Sequence, residues 1–162
     1  VIKALGGSPV TMAMPDAYQG LAKGVVDGSI HPVETNKGWN IGEVVDYMTK
    51  TEATGYTTTF FVVMNKKRWN AMDAKDQKII EGINDEWAER HAQAWDGSDE
   101  RGLSIFKDLG GEVITLTEAE STQWNAAIAQ VIAEYRGQLK ENGFDDQRIT
   151  DIIENTLKEY KK

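Results

Sequence analysis

Residues 24–35, GVVDGSIHPVET, decide how the chain is read: two glycines, an aspartate, a histidine, a proline and a glutamate stand within twelve positions. They separate two stretches of helical period. Gly28 relaxes the steric limits on the backbone, and Pro32 lacks the amide hydrogen that the first turn of a helix would leave unpaired anyway. The helix expected from Pro32 therefore points its amino end back at Ser29–His31. Free backbone amides and the helix dipole favour a carboxylate or phosphate there, so the stretch reads as the seat of a small anion.

Upstream, residues 1–7 (VIKALGG) read as a helix end closed by glycine, and Ser8–Met12 as a short strand with Val10 and Met12 on one face. Pro15 and Asp16 open a helix whose Ala17, Leu21, Ala22 and Val25 recur at helical spacing up to Val26-Asp27-Gly28. Downstream, a second helix is expected from Pro32 to about Tyr47, weakened by Gly38 and Gly42, which point to close packing or a break.

Residues 54–64 (TGYTTTFFVVM) have the threonine, aromatic and valine content of a strand. The apolar run Phe60–Met64 predicts burial on both faces, as in a central strand of a covered sheet, with Tyr56, Phe60 and Phe61 in the core. Asp73-x-x-Asp76 then opens a helix carried by Ile79, Ile80, Ile83, Trp87, His91 and Trp95, resumed after Gly97-Ser98 by Leu103, Ile105, Phe106 and Leu109. Its length exceeds that usual in a small domain and suits a helix spanning two lobes. Gly110-Gly111 stops it, EVITL (112–116) alternates as a strand, and Thr117-Glu118-Ala119-Glu120 has capping-box spacing. Two further amphipathic helices follow, one through Trp124, Ile128, Val131, Ile132 and Tyr135 and one over residues 146–162. Few strands separated by helices predict an α/β chain with crossover connections.

The 162 residues suffice for one domain or a piece of something larger. A formal charge of −8 without a basic face argues against nucleic acid and anionic membranes as partners. The absence of cysteine removes disulfides, thiolate nucleophiles and cysteine zinc sites, and fits cytoplasm or periplasm equally. No apolar run approaches the roughly 20 residues of a membrane span, and no signal peptide is seen. A start at Val1 without initiator methionine reads as a fragment or processed product.

Catalytic patterns do not emerge. There is no GxSxG, HExxH, GxxxxGK[ST] or strand-borne GxGxxG, and His91 lies in the long helix without a second metal ligand, which marks it as structural or surface. The five tryptophans read as packing residues. No catalytic residue, metal or cofactor is expected. His31 is more informative, because it stands beside a turn rather than on a periodic face; its plainer role is that of a partly exposed turn histidine, as Glu34's is that of an acid in a helix first turn.

Taken in order, IKALGGSPVTM, AYQGLAKGVVDGSIHPVE, GEVVDYMT, FFVVMNKKRWNAM and DAKDQKIIEGI resemble the carboxyl-terminal half of TRAP-type periplasmic solute-binding proteins, the DctP family. The resemblance is strongest from Ile2 to about Ile83. It implies a helix-rich, type II-like periplasmic-binding-protein lobe with few short strands and one long helix spanning lobes, a truncated two-lobe fold. Residues of about 1–60 would belong to the substrate cleft of the second lobe, and 61–162 would supply a crossover strand, the long spanning helix and the carboxyl-terminal helices.

It further implies an extracytoplasmic receptor, periplasmic and not an enzyme, that binds a small organic acid and delivers it to membrane permease subunits. The arginine that pairs with the substrate carboxylate in the family precedes the ALG-like stretch and is not in this chain. The position that faces the ligand after the first short strand, commonly aromatic, falls on Met14, giving a softer wall. The family's asparagine before the proline is His31, which retains hydrogen bonding and adds pH sensitivity. Glu34 stands where several members carry a glutamate and would receive a ligand hydroxyl or ammonium group. Two other readings stay open at this stage: an α/β enzyme whose catalytic half is missing, and a structural or assembly fragment.

Overall fold

The structure is a computed structural model that describes residues 1–50 and 60–160. Its elements in order are α1 (Met14–Ala22), α2 (Thr35–Gly38), a 3-10 turn (Ile41–Glu43), β1 (Tyr47–Lys50), α3 (Lys66–Asn70), α4 (Ala74–Asp108), β2 (Glu112–Thr115), α5 (Glu118–Glu141) and α6 (Asp146–Tyr160). Two compact units emerge, one from residues 1–10 with 116–160, the other from residues 11–50 with 60–115. The helix-rich α/β class expected from the pattern is what the chain adopts.

The second unit holds β1 and β2, paired in parallel with Tyr47 opposite Glu112 and Lys50 opposite Thr115. Parallel neighbours require a crossover, and the connection here includes α3 and α4. The packed centre lies where the last turns of α4 meet α2 and the 3-10 turn: Phe106 and Ile41 are fully buried, with Thr35 and Asn36 beside them at 2 % exposure. Gly42 packs into this centre, an added Cβ lying 3.3 Å from the Asn36 carbonyl and 3.5 Å from Leu109. α4 ends in a paired-bond glycine cap: Gly110, at φ 90°, donates to the Lys107 carbonyl at 2.9 Å, and Gly111 to that of Phe106 at 2.9 Å.

Several expectations are corrected. Ser8–Met12 carries no strand, because among the described residues no ladder partner reaches it. The helix from Pro32 to Tyr47 is one turn of α2 and one 3-10 turn; Asn40, at φ 56°, breaks it, and Tyr47 opens β1 instead. Residues 54–59 of the expected central strand lie outside the described residues. Phe60–Met64 form no strand and are exposed, Val62 at 95 %: the apolar run has the composition for burial, but no described strand pairs with it. α4 forms as expected, about 50 Å long at 1.5 Å per residue. Asp73 stands at its N-cap without a side-chain bond, and its carbonyl accepts from Asp76 and Gln77 instead. Only the last turns of the helix's apolar stripe reach the core, through Phe106; in its first half Ile79, Ile83 and Trp87 are exposed, as is Trp39 outside the helix. Among the described residues no helix is long and apolar enough to cross a membrane.

In the first unit the expected capping box is present, Thr117 Oγ1 accepting from the Glu120 amide at 3.3 Å and Glu120 Oε2 from the Thr117 amide at 2.8 Å. Ile128 is buried on α5, and the buried Asp146 carboxylate opening α6 accepts from Arg136 Nε at 2.9 Å, with Lys140 Nζ 3.4 Å away.

Candidate functional site

The segment from His31 to Glu34 lies between the close of α1 and the start of α2. α1 ends in the same glycine cap as α4: Gly24, at φ 66°, donates to the Leu21 carbonyl at 3.0 Å and Val25 to that of Gly20 at 2.8 Å. The chain then turns tightly at Pro32. The amides of Thr35 and Asn36 donate to the carbonyls of Pro32 and Val33 at 3.2 Å each, and the Thr35 hydroxyl reaches the Pro32 carbonyl at 2.7 Å.

This turn is fastened to α4 at two points. The Glu34 amide donates to Asp99 Oδ1 at 2.9 Å. At Gly102 the helix approaches so closely that a Cβ would lie 2.3 Å from the Val33 carbonyl oxygen and 2.9 Å from the Glu34 Cα. Asp99 and Gly102, three residues apart, share one helix face.

The arrangement corrects the anion seat expected on helix amides. α2 has only four residues, the amides of Thr35 and Asn36 are bound within the turn, and that of Glu34 already holds the Asp99 carboxylate. At the Glu34 amide the chain supplies its own anion.

His31 is half-buried, its Nδ1 hydrogen-bonded to the Ser29 hydroxyl. Burial pushes its imidazole below the ordinary value of 6.5, favouring the neutral ring, which donates from one nitrogen and accepts at the other. Glu34, also half-buried, is pushed up from 4.5 by burial first and the Asp99 charge second. Its Oε2 lies over Gly38, where a Cβ would come within 2.6 Å of it. A neutral imidazole and a carboxyl that ionises reluctantly are each able to trade hydrogen bonds with a polar ligand.

Glu34 lies within the Pro32–Asn36 turn, and His31 immediately precedes it, hydrogen-bonded to Ser29. Met14, half-buried, is the first residue of α1, and among the described residues no hydrogen bond joins it to the other two. α1 is tied instead to the 3-10 turn, Tyr18 donating to Glu43 Oε2 at 3.2 Å. Asp99, Gly102 and the buried Thr35 and Asn36 escaped the sequence reading. The signal available was a glycine inside a long helical pattern, which marks close packing. His91 behaves as a surface residue, accepting from Trp95 Nε1 at 3.1 Å.

A shallow groove of about 340 Å³ lies elsewhere, between Val62, Met64, Lys66 and Trp69 and the α4 residues Ile80 and Asn84; none of the three expected ligand residues lines it. Among the described residues no group of three or more His, Asp or Glu is placed to hold a metal ion.

Comparison with known proteins extends the picture. The chain is 29 % identical over 131 residues to the C4-dicarboxylate-binding periplasmic protein DctP of Rhodobacter capsulatus, covering 80 % of this chain and 39 % of that protein. It is similar in structure to a TRAP solute-binding protein from an unidentified marine microbe, specific for aromatic acid ligands and solved with metahydroxyphenylacetate: TM-score 0.87, 26 % identity, 99 % of this chain and 51 % of the other. A TRAP solute-binding protein of Rhodoferax ferrireducens T118, in complex with copurified benzoate, matches with TM-score 0.76 and 26 % identity over 91 % of this chain and 48 % of its own. The chain therefore spans about half, or less, of the length of these relatives. Its residues 1–138 match the family described as bacterial extracellular solute-binding protein, family 7, and the chain belongs to that family, DctP.

Proposed function

We propose that the chain is the carboxyl-terminal part of a periplasmic receptor that binds a small organic acid and delivers it to the permease subunits of a TRAP-type transporter. The observation that carries this reading is the His31–Glu34 segment, two half-buried polar side chains on a backbone clamped to α4 at Glu34, in a chain of a solute-binding family. The relatives named above take C4-dicarboxylates, aromatic acids and benzoate, all carboxylates.

In this account His31 exchanges a hydrogen bond with the ligand, Glu34 receives a ligand hydroxyl or ammonium group, and Met14 supplies apolar wall. A carboxylate ligand of an acidic chain needs a cation. In the family pattern that role falls to an arginine ahead of the ALG-like stretch, whose planar fork suits a carboxylate. Residues of about 1–60 contribute to the cleft, and 61–162 supply the connection, the long helix and the carboxyl-terminal helices.

The test is a thermal-shift screen of the whole protein against succinate, malate, benzoate and metahydroxyphenylacetate, with each compound assayed by NMR for chemical conversion. A ligand at about 100 times its dissociation constant adds roughly 2.7 kcal/mol to the folded state. The receptor reading expects stabilisation by at least one acid and its recovery unchanged. Conversion of the bound acid would replace it with the enzyme reading.

A further inference from the structure

We infer that Asp99 is a positioning residue for ligand binding: from α4 it fixes the backbone at Glu34, in the turn that directly follows His31. The inference rests on the receptor reading above and goes beyond it, since neither the family pattern nor the sequence motifs pointed to α4 as part of the site.

Three observations carry it. The Asp99 carboxylate is the acceptor for the Glu34 amide, a bond spanning 65 positions of sequence and partly buried. One turn further along the same face, α4 offers Gly102, whose missing side chain lets the Val33 carbonyl and Glu34 Cα come to within backbone contact. Thr35 and Asn36, which follow directly, are at 2 % exposure, so the turn has little room to adopt a second form. A charge-assisted bond to a backbone amide is shorter and stronger than a neutral one. Losing it frees the one amide of residues 34–36 that is not bonded within the turn itself.

The chemistry separates positioning from charge. Asp99→Asn keeps an oxygen acceptor at the same place and removes the charge, whereas Asp99→Ala removes both. A purely structural role would lower the melting temperature without changing affinity well below it, since titration there reads only folded molecules. A positioning role moves affinity at a temperature where every variant is folded.

The experiment compares whole-protein wild type, Asp99→Asn and Asp99→Ala by two readouts at one temperature below all melting points: hydrogen exchange of the Glu34 amide, and calorimetric affinity for benzoate and for succinate. The expected result is a Glu34 amide protected in wild type and Asp99→Asn and exchanging at least tenfold faster in Asp99→Ala. Affinity should fall about tenfold in Asp99→Ala and stay within about threefold in Asp99→Asn. Equal affinity in wild type and Asp99→Ala, or an unprotected Glu34 amide in wild type, would overturn the inference. If wild type binds no carboxylate, the receptor reading fails separately. The inference, stated for ligand presentation, falls with it, while the exchange data still report whether Asp99 holds the turn.

Discussion

Gly102 of α4 lies directly against the Val33 carbonyl: a single added carbon would sit 2.3 Å from that oxygen, closer than two such atoms approach. The contact is backbone against backbone, so no flexible side chain can move aside. The helix and the turn therefore fit only while position 102 is bare.

Gly102→Ala is expected to destabilise the protein by about 1–3 kcal/mol through forced displacement, even after the roughly 1 kcal/mol that alanine gains over glycine inside a helix. Gly82, on the same helix, has nothing within 4 Å of an added Cβ, so Gly82→Ala should stabilise by about 0.5–1 kcal/mol. Denaturant unfolding of the pair checks both. Equal shifts in the two variants would mean that the turn does not press on α4.

The two titratable groups of residues 31–34 make opposite contributions with pH. His31 has its folded pKa lowered by burial, so the unfolded chain takes up the proton first; its contribution is complete above about 6.5 and declines as pH falls below that. Glu34 has its folded pKa raised by burial and by Asp99. The cost of holding it ionised is present at neutral pH and is relieved as pH falls through the raised folded value towards 4.5. His31→Gln should therefore remove part of the stability lost between pH 7.5 and 6. Glu34→Gln should raise stability at pH 7.5 and confer no such gain at pH 4.5. Melting temperatures across that range read both effects, and parallel curves for wild type and variants would count against them.

In the first unit, Thr117 and Glu120 satisfy each other's amides at the start of α5. Thr117→Ala should cost about 1 kcal/mol, the usual loss for an N-cap. Hydrogen bonds from the Thr117 amide and hydroxyl hold the Glu120 carboxyl below its ordinary 4.5, so its contribution is present above that value and lost as pH falls through the lowered folded pKa. The Thr117→Ala penalty should accordingly shrink in acid. A penalty constant down to pH 3 would show that the box carries no charge-dependent part.

Elements whose signals are local were legible in the sequence: Pro15 opening α1, the glycine pair ending α4, the threonine–glutamate box of α5, and the alternation of β2. Elements that depend on a partner were not. Phe60–Met64 has strand composition, yet a strand exists only where another pairs with it, and none does among the described residues. β1 was missed because Tyr47–Lys50 is defined by its parallel partner 65 positions away rather than by its own pattern. The helix expected after Pro32 fails at Asn40, where backbone conformation overrides the apolar period.

The site divides in the same way. His31 and Glu34 could be named from their place on either side of Pro32, and Glu34 lies in the turn that follows that proline. What holds that turn, an aspartate and a glycine 65 and 69 positions beyond Glu34 and Val33, leaves no local trace except an unexplained glycine in a helix.

Calorimetric titration of the whole protein with the acid that stabilises it most, run beside His31→Ala and Glu34→Gln, reads whether the ligand sits against residues 31–34. One site per chain is expected, with affinity weakened about tenfold or more by His31→Ala, the scale of a lost hydrogen bond to a charged ligand. Glu34→Gln should weaken acids that carry a hydroxyl or ammonium group more than those that do not. Undiminished affinity in both variants would place the ligand away from residues 31–34 and contradict that expectation.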